Sequence, residues 1–340
     1  MKGLLKLPLW TLLMLLVSCN HHDLCYHHPH TAQVRVDVDW TEFVEEDPTG
    51  MTVMVYPADG TKPYTVLTHT LDHALFNLPE GTYHTLAFNQ SISEFGSVEF
   101  RQMDHYADAE VVSVTQESRW YEGRVDGGRV VVQPEWIATH REEGTMVTRQ
   151  MVEEVRPEGK YRTGDAMDYV LSSLVPRNIV YTVHVRVYIK GVYNLRSARA
   201  ALDGMAEGYR FAAACPSKVT AIYLMEDWNL VVDKTDPTRG YIETDLYCFG
   251  LPKDHEGVAE ENLFDLSLLL VDNKTILHFP FMVGDRFDHL EADISLSLNM
   301  EMEVELAEAL PDVKPEGGSG SGFDASVEDW GDEIEYNVNM

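Results

Sequence analysis

Along much of this chain apolar and polar residues alternate one for one. Val34, Val36, Val38 and Trp40 alternate with Gln33, Arg35, Asp37 and Asp39. Strand side chains point to opposite faces in turn, so a period of two predicts a strand with one buried face. The same pattern returns at Tyr181, Val183, Val185, Val187 and Ile189, with Thr182, His184, Arg186, Tyr188 and Lys190 opposite. That parity puts His184 on a solvated face. The longest alternation runs from Ile294 through Leu296, Leu298, Met300, Met302 and Val304 to Leu306, with serines, Asn299 and glutamates between. Helical spacing would scatter these apolar residues around the axis, so a strand is expected.

Shorter strands are expected at Met51 to Tyr56, Tyr64 to Thr70, Val98 to Arg101, Glu110 to Val114 and Arg129 to Val132. Leu75 to Asn89 reads as strand, turn and strand, with Pro79 and Gly81 turning. Met146 to Val155 would continue the first half as an alternating strand. Val219 to Met225, Tyr241 to Phe249, Leu263 to Val271 and Ile276 to Phe281 add four more, the last two joined at Asp272-Asn273-Lys274. Ala-rich Leu195 to Met205 reads as a short helix or an irregular crossing. Strands every roughly 8–12 residues, with turn signals between them, predict an all-β fold of sandwiches.

The first residues follow a different rule. Lys2 and Lys6 precede an apolar run from Leu7 to Val17, the form of a secretory signal and too short to span a bilayer. Leu16-Val17-Ser18-Cys19 reads as a lipobox: a small residue at the cut, then the cysteine whose sulfur takes the lipid. Several acyl chains on one residue hold a protein stably at a membrane. The chain then divides into a signal peptide (1–18), a His-rich tether (19–32), an N-terminal β-sandwich (33–164), a C-terminal β-sandwich (165–314) and a Gly/Ser linker with an acidic C-terminal strand (315–340). The length of 340 residues fits two domains.

A net charge of −30 excludes nucleic acid as a partner, since phosphate backbones demand positive charge. His21, His22, His27, His28 and His30, with Cys25 and Asp23, resemble a zinc or copper ligand set. No CxxC and no second ligand cluster accompany them, so the stretch reads as a polar tether and no metal is assigned. Cys215 and Cys248 either pair or remain free thiols; spacing does not decide. No GxSxG, HExxH, phosphate loop or dinucleotide fingerprint occurs, so neither catalytic residues nor a cofactor are assigned. Trp120, Tyr121 and Trp228 either stack on sugar rings or serve as core.

The tail is distinctive. Gly317 to Gly322 is a Gly/Ser linker, and no Lys or Arg follows Lys314. Beyond it Trp330, Ile334, Tyr336 and Val338 share a parity. Such a strand either folds back onto a sheet edge or is lent to another molecule.

The lipobox, Cys25 and Val34-Arg35-Val36-Asp37-Val38-Asp39-Trp40 together resemble the N-terminus of fimbrillin-type anchor lipoproteins of Gram-negative anaerobes. Leu78 to Asn89 looks like the strand-turn-strand of their first domain, and Val327-Glu328-Asp329-Trp330 like the tail of related proteins. The resemblance implies two tandem transthyretin-like (Greek-key) β-sandwich domains. It further implies a non-enzymatic, surface-exposed outer-membrane lipoprotein, lipidated at Cys19, that anchors or caps a fimbrium or acts as an adhesin. Its partners would be the membrane, through lipid, and fimbrial or other surface subunits joined by strand donation. Stalk subunits of that family are cut at an Arg before a strand; Arg35 lies inside the first expected strand, which favours an anchor. The alternative is a glycan-binding lipoprotein of a polysaccharide uptake system, with Trp120, Tyr121 and Trp228 as its platform.

Overall fold

The computed structural model describes residues 30–121, 128–153, 169–289, 297–315 and 335–337. Cys19, Cys25, His21 to His28, the Gly317 to Gly322 stretch, Trp330, Ile334 and Val338 lie outside the described residues.

In chain order the first half carries β1 (Ala32–Val38), β2 (Met51–Pro57), β3 (Tyr64–Thr68), β4 (His73–Leu78), β5 (Gly81–Phe88), β6 (Val98–Arg101), β7 (Glu110–Ser113), β8 (Val130–Val131) and β9 (Ala138–Val147), then the helix α1 (Arg149–Glu153). There follow β10 (Tyr169–Leu174), β11 (Arg177–Asn178), β12 (Tyr181–Lys190), β13 (Leu195–Ala206), β14 (Gly208–Arg210), β15 (Cys215–Pro216), β16 (Thr220–Met225), β17 (Asn229–Val232) and β18 (Arg239–Cys248). The series closes with β19 (Leu263–Leu270), β20 (Ile276–Met282), β21 (Asp288–His289), β22 (Leu298–Glu305) and β23 (Glu335–Asn337). The fold is all-β, as the alternation predicts.

A sheet ordered β10-β1-β4 faces one ordered β11-β9-β5-β2-β3. Val34 and Val36 on β1 are fully buried and pack with Met51, Val53 and Val55 of β2 and with Phe76 and Leu78 of β4. Gln33, Arg35 and Asp37 take the other face, where Arg35 Nε lies 2.6 Å from Asp37 Oδ1. β1 is paired on both sides, antiparallel to β4 and parallel to β10, so Arg35 is held within a ladder. β10, which follows residue 165, thus belongs to the first sandwich.

The second sandwich sets β17-β18-β12-β22-β21 against β23-β20-β19-β13-β16-β8. Val183, Val185 and Val187 of β12 meet Leu202 of β13, Leu266 and Leu268 of β19 and Met300 and Met302 of β22 in the larger core. The predicted turn at Asp272 forms as read: Asn273 adopts a positive φ, and Asp272 Oδ1 accepts from Thr275 N at 3.0 Å.

The two sandwiches are stitched together. A small sheet, β15-β14-β7-β6, pairs β7 with β14. β8 pairs in parallel with β16, and the Arg129 guanidinium reaches the Glu207 carboxylate. Between the bodies Met54, Tyr56 and Phe88 pack with Val111, Ile179, Phe211 and Phe249 in a separate apolar cluster.

Three elements differ from the sequence expectation. Leu195 to Ala206 is a 12-residue strand, neither helix nor crossing. Its alanines are buried on both faces: Ala198 and Ala200 join the main core, and Ala201 packs under Tyr121 and Ile222. Small side chains let flanking strands approach, and tertiary packing overrides the helix preference of alanine. Met146 to Val155 does not continue as a strand. β9 ends at Val147, and Thr148 Oγ1 accepts from Met151 N at 3.4 Å, capping α1. Of the long alternation, the described strand covers Leu298–Glu305; Ile294 and Leu296 lie outside the described residues.

Candidate functional site

Two features of the second sandwich stand out: the outward face of its five-stranded sheet and the β20 edge of its six-stranded sheet.

On the outward face the alternation of β12 presents His184, Arg186, Tyr188 and Lys190. Antiparallel β18 places Asp245 opposite His184 and Glu243 opposite Arg186; parallel β22 places Glu301, Glu303 and Glu305 beside His184, Arg186 and Tyr188. Arg186 therefore lies between carboxylates of both flanking strands. Arg186 reaches Glu303 at 2.9 Å and Glu243 at 3.2 Å, and its Cζ sits 4.8 Å from the Tyr241 ring centre. Interaction with Tyr188, followed by these carboxylates, holds the guanidinium pKa above its ordinary value against partial burial. Lys190 meets Glu305 at 3.2 Å. A concavity of about 730 Å³ opens over this face, lined by His184, Arg186, Asp227, Asn229, Glu243 and Glu303 among others. Asp245, Glu243 and Glu303 are drawn onto the central row, so the arrangement is a cross-strand charge ladder.

At the β20 edge, Glu335 to Asn337 pair in parallel with Ile276 to His278. The C-terminal segment thus joins a sheet edge, one of the two behaviours its parity predicts. Pro280, later on β20 and beyond the residues paired to β23, has no N–H to offer a further strand. Behind the edge, Ser267 Oγ and His278 Nδ1 lie 2.8 Å apart, both buried.

The aromatic residues read as sugar-stacking candidates do not assemble. Trp228 is buried, its Nε1 donating to Met225 O at 3.2 Å, and belongs to the main core. Tyr121 is also buried; Trp120 meets it edge-on at 73°, donates to Glu226 and lies under the Arg199 guanidinium. They form no coplanar exposed platform. Cys215 and Cys248 are free thiols. His184 is exposed on the polar face, its Nδ1 2.6 Å from Asp245 Oδ1. Among the described residues no group of His, Cys, Asp and Glu is placed to hold a metal, and no helix is long and apolar enough to cross a membrane. The charge ladder is the feature that sequence reasoning missed. Parity marked its rows as polar, but the pairing of β12 with both β18 and β22 is not written in any one segment.

The class is thus a two-bodied β-sandwich protein whose described surface features are a charge-laddered sheet and a strand edge. The chain belongs to the family described as Domain of unknown function (DUF5119), whose model matches residues 18–226. No curated protein matches it. Among solved structures it is similar to a "putative adhesin" from Bacteroides ovatus, at 15% identity and a TM-score of 0.54, over 88% of this chain and 98% of that one. It is also similar to the fimbrial anchor protein Mfa2 from Porphyromonas gingivalis, at 13% identity and a TM-score of 0.45, over 81% of this chain and 90% of that one. The resemblance expected from the sequence is thereby met at the level of the fold.

Proposed function

We propose that this chain is a non-enzymatic surface lipoprotein, tethered to the outer membrane through lipid on Cys19, that works as a fimbrial anchor or adhesin-like subunit and joins its neighbours by β-strand addition. The observation that carries this reading is the pairing of β23 with β20. Among the described residues, three of the tail, Glu335 to Asn337, pair with the seven-residue β20. The chain before the tail is pinned near the same end of the sandwich. Val313 N donates to Asn194 Oδ1 at 3.5 Å, and Asn194 O accepts from Val271 N, close to the turn that leads into Ile276. Residues 316–334 have a covalent reach of up to about 60 Å. The same strand therefore has the length to reach a neighbouring molecule's edge, where main-chain hydrogen bonds supply affinity. The adhesin and fimbrial descriptions of the similar structures support a surface role.

The glycan-binding alternative asks for exposed, coplanar rings. Trp120, Tyr121 and Trp228 do not supply them, so strand addition is preferred.

Two measurements test the reading. Mass spectrometry of the mature N-terminal peptide should find acyl chains on Cys19; an unmodified cysteine overturns the tether. Cells producing the chain without Phe323 to Met340 should lose its assembly with partner subunits. Assembly that survives intact removes the tail as the donor.

A further inference from the structure

A donated strand needs an edge to receive it, and the edges of this molecule are not alike. β20 is occupied by β23 over Ile276 to His278, and β22 by β21 over Met300 and Glu301. β10 is shielded from one side: Ser173 N donates to Glu142 at 3.3 Å and Val175 N to His140 Nδ1 at 2.9 Å, both acceptors being side chains of β9. β6 carries charge at Glu99 and Arg101. β17 is bracketed by Asp227 and Asp233. β4, which also ends its sheet, opens on a polar pair, His73 Nδ1 lying 3.0 Å from Asp72 Oδ1.

β3 is different. It ends its sheet, paired to β2 alone. Its sequence, Tyr64-Thr65-Val66-Leu67-Thr68, has no charge and is rich in β-branched and aromatic residues. Leu67 is 60% exposed and Tyr64 39%. Among the described residues, no backbone hydrogen bond outside the β2 ladder reaches Tyr64 to Thr68. Alternate residues of an antiparallel edge strand direct N–H and C=O outward, leaving a template for one more strand. The guards that usually blunt such an edge, Lys62 and Pro63, stand before the strand rather than in it.

We infer that β3 is a strand-acceptor edge, and that its occupant is an uncharged, extended segment of another surface subunit. This inference rests on the strand-addition reading and names a receiving site for it. Three observations select the occupant. Unpaired main-chain groups in a row call for an extended backbone. The absence of charge across the row makes a charged strand pay desolvation without a counter-ion. Five residues bury far less than the roughly 1,000 Å² that a stable interface between two folded copies needs, so the partner is a flexible segment held nearby rather than a second folded face.

The test uses the full-length lipoprotein in detergent micelles and a capped peptide copying Pro63 to His69, which pairs antiparallel with β3 while keeping the row uncharged. Hydrogen exchange at Tyr64 to Thr68 should slow at least tenfold at saturating peptide. The same peptide carrying Val66→Lys should bind at least tenfold more weakly. The Leu67→Lys protein should lose the effect while keeping its unfolding midpoint, because Leu67 is solvent-exposed. No slowing at millimolar peptide overturns the inference, as does equal protection in the Leu67→Lys protein. A Leu67-dependent dimer without peptide overturns the assigned occupant in favour of a second copy. Protection at Ile276 to Met282 in protein lacking Phe323 to Met340, with none at β3, sinks this inference and leaves strand addition standing. Loss of protection at both edges, together with intact assembly of the truncated chain, sinks both.

Discussion

Arg186 and Glu243 face each other across the β12–β18 pair, Nη2 and Oε2 3.2 Å apart, with Glu303 on the opposite flank of the same guanidinium. One cation therefore serves two carboxylates, one on each strand flanking β12. Replacing Arg186 by Met leaves those carboxylates facing one another without their counter-ion. The side chains are about one-third exposed, so water screens much of the effect, and a loss of no more than about 1 kcal/mol is expected. The loss should shrink in about 1 M NaCl, where the Debye length falls to roughly 3 Å. Urea unfolding of both proteins at low and high salt measures it. An equal loss at both would show that stem packing, not charge, sets the effect.

Alkaline pH should destabilise the fold through phenols that packing holds wholly or partly out of water. Burial pushes Tyr83, Tyr106 and Tyr209 each up to about 12 from an ordinary value of 10. A raised folded pKa means the unfolded chain loses its protons first as pH climbs. The contribution is complete below about pH 10 and drains away as pH rises through about 12. Urea midpoints collected across that window should fall steadily. A flat profile would contradict the burial of these rings.

The two described cysteines should differ sharply in reactivity. Cys248 is fully buried, and burial pushes its thiol up to about 12. Cys215 is half-buried at β15. The thiolate is the reactive species, so a maleimide should label Cys215 in the folded protein and reach Cys248 only in denaturant. Peptide mapping by mass spectrometry reads both. Labelling of Cys248 at native rates equal to Cys215 would refute its placement.

Two glycines with the same backbone sign should behave unequally. Gly204 has φ +85°, and a Cβ there would stand 2.1 Å from Glu261 O. Gly60 has φ +80° with nothing within 4 Å. Gly60→Ala should cost about 1–2 kcal/mol, the strain of a left-handed L-residue alone. Gly204→Ala should cost more, about 2–4 kcal/mol, because backbone must also move. Thermal unfolding of both variants separates strain from collision.

Much of this architecture is legible where one face of a strand is wet. β1 and β12 announce themselves because Arg35 or Arg186 interrupts valines at every second place. β13 does not, since Ala200 faces the main core and Ala201 faces Tyr121, leaving no polar rhythm to read. Parity also assigned Glu303 and Arg186 to polar faces. That they meet depends on β12 running parallel to a strand more than a hundred residues later, and a local pattern carries no such address. The aromatic trio failed for a related reason: ring type predicts what stacks well, not whether the neighbourhood leaves the ring bare. Trp228 and Tyr121 lie in core clusters.

The stitching of the two sandwiches also sets a timetable. β1 waits for Tyr169 to arrive before its parallel partner exists, and Val130 waits for Ile222. A chain delivered N-terminus first must hold its early strands incomplete until two-thirds of its length has emerged. Long-range pairings of this kind are slow to close and expose unfinished edges meanwhile. Maturation of this protein should therefore depend on whatever shields those edges while the chain is being completed, more than on the final stability of either half.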